Sequence, residues 1–162
     1  RIWTTLNINR AQVDINKNLM DAVGSENKAI MGYIAMNDEV DVIKNIDTNI
    51  QLQVPYLKGN KISRSEFSTN LKYAELGFLM PENPILPDLI PDVIIVPGRF
   101  FDRTGNRIGR GGGHYDKFLS QYMDSVFVGI ALDEALTRVI PYETHDIKMD
   151  IIITEKEILY ID

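Results

Sequence analysis

Cysteine is absent from the 162 residues, which excludes disulfides, thiolate metal sites and a cysteine nucleophile together. Histidine occurs only as His114 and His145, whose spacing does not suggest a metal site. No apolar run approaches the roughly 20 residues a membrane helix needs, and no charged-then-apolar leader opens the chain at Arg1. Positive charge is in deficit. With a formal net charge of −6, the bulk potential would repel phosphate, which argues against nucleic acid as the main partner. We therefore expect a cytoplasmic protein with neither a membrane nor a nucleic-acid partner.

The composition, 44% hydrophobic and 25% charged, is that of an ordinary globular protein, and the length fits a single domain over 1–162. The first 28 residues lean to helix, with Ile15, Leu19, Ala22 and Val23 at helical spacing and Gly24-Ser25 as a stop. Ala29 to Met36 is a continuous apolar run that reads as a strand buried on both faces. Val42, Ile43 and Ile46 follow at helical spacing. Gln51 to Leu57 reads as a strand returned by a turn at 58–61, and four prolines between Met80 and Pro91 exclude regular structure there. Asp92 to Val96, Val126 to Leu132 and Ile151 to Ile153 are further strands, with a short edge strand at 157–161 and a helix beginning near His114. Strands separated by helical segments imply an α/β domain with a mainly parallel sheet.

One stretch stands apart. Pro97 to Asp116 carries six of the 11 glycines and four arginines, directly after a buried strand. Glycine lets backbone amides approach a ligand, and successive amides make a nest for anionic oxygens. The dinucleotide fingerprint fails because His114 stands where a third glycine should fall, and the Walker loop fails because His114-Tyr115 replaces its Lys-Ser/Thr ending. What remains is an arginine and glycine loop in which Arg107 and Arg110 would grip phosphate with forked donors. Asp116 would hold a magnesium ion beside those phosphates. The acidic cluster from Asp38 to Asp41 sits where a strand ends, the place where open α/β sheets bind ligands, and its carboxylates suit a ligand's N–H donors.

Pro97-Gly98, Phe101-Asp102, Gly105 to Gly111, Gly113 and Tyr115-Asp116 closely resemble the signature of the 5-formyltetrahydrofolate cyclo-ligase family. Tyr33 to Asp41, Pro81-Glu82 and His145-Asp146 with Lys148 and Asp150 resemble its other segments, from about residue 29 to 155. The resemblance implies a three-layer α/β/α sandwich with a Rossmann-like sheet, and ATP-dependent closure of 5-formyltetrahydrofolate to 5,10-methenyltetrahydrofolate through a phosphorylated formyl group. It implies Arg107, Ile108, Gly109, Arg110, Gly111, Gly112, Gly113, His114 and Tyr115 as the ATP loop, with Arg107, Arg110 and Tyr115 catalytic. Met36, Glu39 and Asp41, with residues 110–114, would face the folate, while Asp116 and Asp146 would hold Mg2+.

The chain departs from the family pattern at Gly112, where a lysine or similar polar residue is usual, at His114, usually tyrosine, and at Arg99, usually small or apolar. Part of the family's N-terminal helix, which reaches ATP, is expected to lie upstream of Arg1, and no residue is assigned there. The expected assembly is a monomer or a dimer. The alternative function is a nucleotide- or folate-binding regulatory relative that keeps the fold and has lost turnover.

Overall fold

The computed structural model describes residues 2, 4–24, 26–109, 113–137 and 139–162. Helix α1 runs from Thr5 to Val23, opened by Thr4, whose hydroxyl accepts the Asn7 amide, and closed by Gly24 at φ 70°. Strands follow in chain order as β1 (Ala29–Met31), β2 (Gln51–Lys58), β3 (Lys61–Glu66), β4 (Leu71–Tyr73), β5 (Leu79–Pro81), β6 (Val93–Val96), β7 (Phe100–Asp102) and β8 (Arg107–Ile108). After these come α2 (His114–Leu119), β9 (Val126–Ile130), a 3-10 turn at Asp133–Ala135, β10 (Leu136–Thr137), β11 (Ile151–Ile153) and β12 (Ile158–Tyr160).

Seven strands form the main sheet in the order β12-β11-β9-β6-β1-β2-β3. The five central ones, β11, β9, β6, β1 and β2, run parallel, and the two edges are antiparallel. Alternation along the strands divides the core in two. Ile30, Val93, Ile95, Val128 and Ile130 pack with Ile8, Ala11, Ile15 and Leu19 of α1. Met31, Ile94, Val96 and Phe127 pack on the opposite face with Phe118 and Leu119 of α2. The result is an α/β fold with a helix on each face of the sheet, as expected.

Several local readings are corrected. The run from Ala29 leaves the sheet after Met31, with a last bond from the Gly32 amide to the Gln53 carbonyl; the backbone there lies close to Ile43, and a Cβ at residue 32 would stand 2.7 Å from Ile43 Cγ2. No helix forms over Val42 to Ile46. There the Asp41 carboxylate accepts the Ile43 and Lys44 amides, and Asp47 accepts the Asn49 amide, so short polar side chains compete with helix bonds. The proline-rich crossing does begin in a strand, β5, with Pro81 as its last residue and paired, among the described residues, with β4 alone. Among the described residues the helical segments between strands are fewer than the pattern implies, and most crossovers are irregular.

Connectivity locates the crevice. From β1 the chain proceeds to β2 and β3 on one side, and from β6 it proceeds to β9 and β11 on the other. Parallel neighbours whose connections diverge leave a gap beyond their carboxyl ends. The acidic loop leaves β1 at that edge, and the glycine-rich stretch leaves β6 beside it.

Candidate active site

A cavity of about 600 Å³ opens at this switch point. Met36, Asp38 and Glu39 line one side, and Pro97, Gly98, Arg99, Arg107, Ile108, Gly109, Gly113, His114, Tyr115 and Asp116 the other. Glu143, His145 and Asp146 reach it from the loop before β11, and Ile62, Leu76, Phe78 and Leu79 give it an apolar wall.

Arg107 is the structural centre of the polar side. Its side chain is only 8% exposed, Nη1 donates to the Pro97 carbonyl at 3.2 Å, and Nη2 lies 3.6 Å from Asp116 Oδ1. The guanidinium carbon stands 5.7 Å from the Tyr115 ring centroid, a cation–π distance. Two glycines make the room: a Cβ at Gly98 would meet Arg107 Cγ at 3.0 Å, and one at Gly109 would meet Nη1 at 2.5 Å. Arg107 Nε is buried without a hydrogen-bond partner, a donor left over for something the cavity receives.

The tight turn beneath the loop is held by Asp102, which is fully buried. Its carboxylate accepts from the amides of Thr104, Asn106 and Ile140 and from the side chains of Thr104 and Asn106, at 2.8–3.1 Å. Burial alone would raise its pKa, but these donors, the Ile140 amide foremost, hold it below the usual carboxylate range. Gly105 takes φ 92° and donates back to the Asp102 carbonyl, so the turn needs glycine.

Asp116 sits in the first turn of α2, and its Oδ1 accepts the Ile147 amide at 3.1 Å. That bond draws the 143–147 loop onto α2, and Asp146 comes to the same cavity wall, its Oδ2 accepting the Glu143 amide at 2.9 Å. Among the described residues no group of three His, Asp or Glu side chains gathers as a metal cage. Two hard carboxylates with room for phosphate and water are the donor set that suits Mg2+. Burial lifts the Tyr115 phenol well above its usual range, against the opposing charge of Arg107, so it is a neutral hydroxyl. Tyr33 is lifted in the same direction, by burial first and then by Glu39.

In the acidic loop, Met36 and Glu39 close on each other: the Glu39 carboxylate accepts the Met36 amide at 3.0 Å. Asp41 does not line the cavity. Its carboxylate is spent on the turn at 43–44, and its backbone is paired at both ends by the side chain of Gln12, at 2.6 and 2.9 Å. Arg110, Gly111 and Gly112 lie outside the described residues. Sequence reading passed over the wall built by residues 76–79, which carry no motif, and did not see that Arg99 pairs with Asp38 across the cavity.

Comparison with known proteins gives a consistent answer. A model described as the 5-formyltetrahydrofolate cyclo-ligase family matches residues 5–155. The 5-formyltetrahydrofolate cyclo-ligase of Mycolicibacterium smegmatis is 30% identical over 146 residues, covering 80% of this chain and 74% of that protein. The enzyme of that name from Saccharomyces cerevisiae is 41% identical over 80 residues, 45% of this chain and 38% of the yeast protein. The solved structure of Aquifex aeolicus 5,10-methenyltetrahydrofolate synthetase superposes with a TM-score of 0.82 at 25% identity, covering 98% of this chain and 84% of that one. The Mycoplasma pneumoniae 5,10-methenyltetrahydrofolate synthetase, at 20% identity and a TM-score of 0.71 over 93% of this chain and 88% of that one, shares the fold.

Proposed function

The chain belongs to the 5-formyltetrahydrofolate cyclo-ligase family, and from that premise we propose that it closes 5-formyltetrahydrofolate to 5,10-methenyltetrahydrofolate, with ATP split to ADP and phosphate. The observation that carries the reading is Arg107: a buried guanidinium with one unused donor, facing a cavity that holds two carboxylates on the same side and an acidic loop opposite.

In the proposed reaction the formyl oxygen attacks the γ-phosphorus and the bond to ADP breaks. N10 of the folate then attacks the activated formyl carbon and gives up its proton to solvent, and phosphate leaves with the oxygen. Phosphoryl transfer of this kind asks the protein for alignment and charge neutralisation rather than a covalent nucleophile. Arg107 supplies a fixed positive charge, already desolvated and braced by Pro97, Asp116 and the Tyr115 face, so little reorganisation accompanies the transfer. Asp116 and Asp146 would hold Mg2+, which when bound neutralises phosphate charge. Tyr115, neutral throughout the working pH range, donates a hydrogen bond and does not act as a base. Glu39 and Met36 face the pterin end, and the Ile62, Leu76, Phe78 and Leu79 wall keeps water from the activated group. Gly109, Gly113 and His114 line the phosphate side, and Arg110 to Gly112 join this ATP loop by sequence.

The test mixes protein, ATP, Mg2+ and 5-formyltetrahydrofolate and follows the absorbance of the methenyl product. Product that requires both ATP and metal supports the proposal. Ligand binding without turnover overturns it in favour of a regulatory relative.

A further inference from the structure

We propose that Arg99 and Asp38 form a clasp across the mouth of the cavity that sets the position of the folate-facing loop, which makes Arg99 a positioning residue for the reaction proposed above. The two side chains come from opposite banks. Asp38 lies in the loop after β1, between Met36 and Glu39, and Arg99 lies just after β6. Arg99 Nη1 donates to Asp38 Oδ2, both residues line the cavity, and the side chains are 37% and 34% exposed.

What each bank is attached to gives the clasp its consequence. The far end of the acidic loop is already fixed, because the Gln12 side chain from α1 pairs with the Asp41 backbone through two hydrogen bonds. The near end holds itself together, because the Glu39 carboxylate accepts the Met36 amide and the Glu39 amide donates to the Met36 carbonyl. That turn is local, and its own bonds fix the shape of residues 36–39. A side-chain bond crosses from this turn to the other bank, donated by Arg99 to Asp38. Arg99 is itself anchored, since its amide donates to the Ile108 carbonyl at 2.7 Å, next to Arg107. The clasp therefore links the loop that faces the folate to the strand residue that carries the phosphate-gripping arginine. A partly exposed pair of this kind adds little to global stability, so its effect should appear in substrate affinity.

The inference rests on the folate reading of the cavity, and the experiment separates the two. Arg99→Leu, Arg99→Lys, Asp38→Asn and the Arg99→Leu/Asp38→Asn double variant are assayed for product formation. The expected result is a rise in the KM for 5-formyltetrahydrofolate of about 3–10-fold in Arg99→Leu, larger than any change in the KM for ATP, with partial recovery in Arg99→Lys. The double variant should be no worse than the poorer single one. An unchanged folate KM in Arg99→Leu, or losses that multiply in the double variant, would overturn the clasp. If the wild-type protein shows no turnover, the functional reading fails. Hydrogen–deuterium exchange of residues 36–41 in the unliganded protein then decides the clasp alone: faster exchange in Arg99→Leu sustains it, and equal exchange refutes it.

Discussion

Gly109→Ala should disable the site without unfolding the protein. The added Cβ would stand 2.5 Å from Arg107 Nη1, whereas ordinary contact begins near 3.4 Å, so the guanidinium must retreat by about 0.9 Å. Backbone strain is not involved, because Gly109 is not among the glycines at positive φ. A retreat of that size exceeds the slack in the 3.2 Å bond to the Pro97 carbonyl and shifts Nη2 relative to Asp116. Misplacement of a positioned charge by roughly 1 Å costs on the order of 100-fold in rate, equivalent to about 2.7 kcal/mol of barrier. Gly129→Ala provides the control, since its Cβ would meet the Phe101 ring at 2.5–2.9 Å and that ring is fully buried. A rigid buried ring cannot move aside, so this variant should lose about 1–3 kcal/mol of stability. The assay pairs initial rates of methenyl formation over an ATP titration with thermal melts. Gly109→Ala is expected to keep a near wild-type Tm and lose kcat/KM, and Gly129→Ala to show a lowered Tm. A Gly109→Ala enzyme with kcat/KM within about two-fold of wild type would refute the claim that Arg107 is held in place by the space Gly109 leaves.

Asp102→Asn should lower stability at neutral pH by on the order of 2–4 kcal/mol, because one amide oxygen and an added donor replace an acceptor of five bonds. Since the folded Asp102 pKa lies below that of the unfolded chain, its contribution is full above the unfolded value and fades as pH falls through the folded one. Urea melts from neutral pH to strongly acidic pH should therefore show a shallower acid loss in Asp102→Asn. Asp116→Asn should depress Mg2+-ATP use while the Ile147 amide keeps an acceptor and the melt stays close to wild type; an undiminished rate would remove Asp116 from the metal site. Arg64→Met should cost about 1–3 kcal/mol in a chemical melt with KM values unchanged, since the buried Arg64 bonds Tyr122, Gln53 and the Leu89 carbonyl away from the cavity.

How much was legible beforehand varies with the range of the interactions involved. The strand at Val93–Val96 is four buried residues in a row, and apolar β-branched runs bounded by charge announce such strands locally. Asp102 to Gly105 forms a tight turn for an equally local reason, because the glycine and the aspartate carry their conformational demands with them. The helix expected at Val42 to Ile46 failed because periodicity records the apolar spacing and does not weigh Asp41 and Asp47 competing for the backbone. Asp41 illustrates the same competition: its residue type suits a ligand, and in the fold its carboxylate accepts the nearer Ile43 and Lys44 amides.

By itself, then, the sequence determined the α/β class, the absence of cysteine chemistry and the place of the arginine and glycine loop, since each depends on residue types and their spacing along the chain. Tertiary structure alone decided what surrounds that loop. The divergence of the chain from β1 and β6 opened the crevice, and the pull of Asp116 on the Ile147 amide brought Asp146 to it. The apolar wall at residues 76–79 and the pairing of Arg99 with Asp38 join segments far apart in the chain. Such contacts are fixed by strand order and packing, which no local pattern encodes.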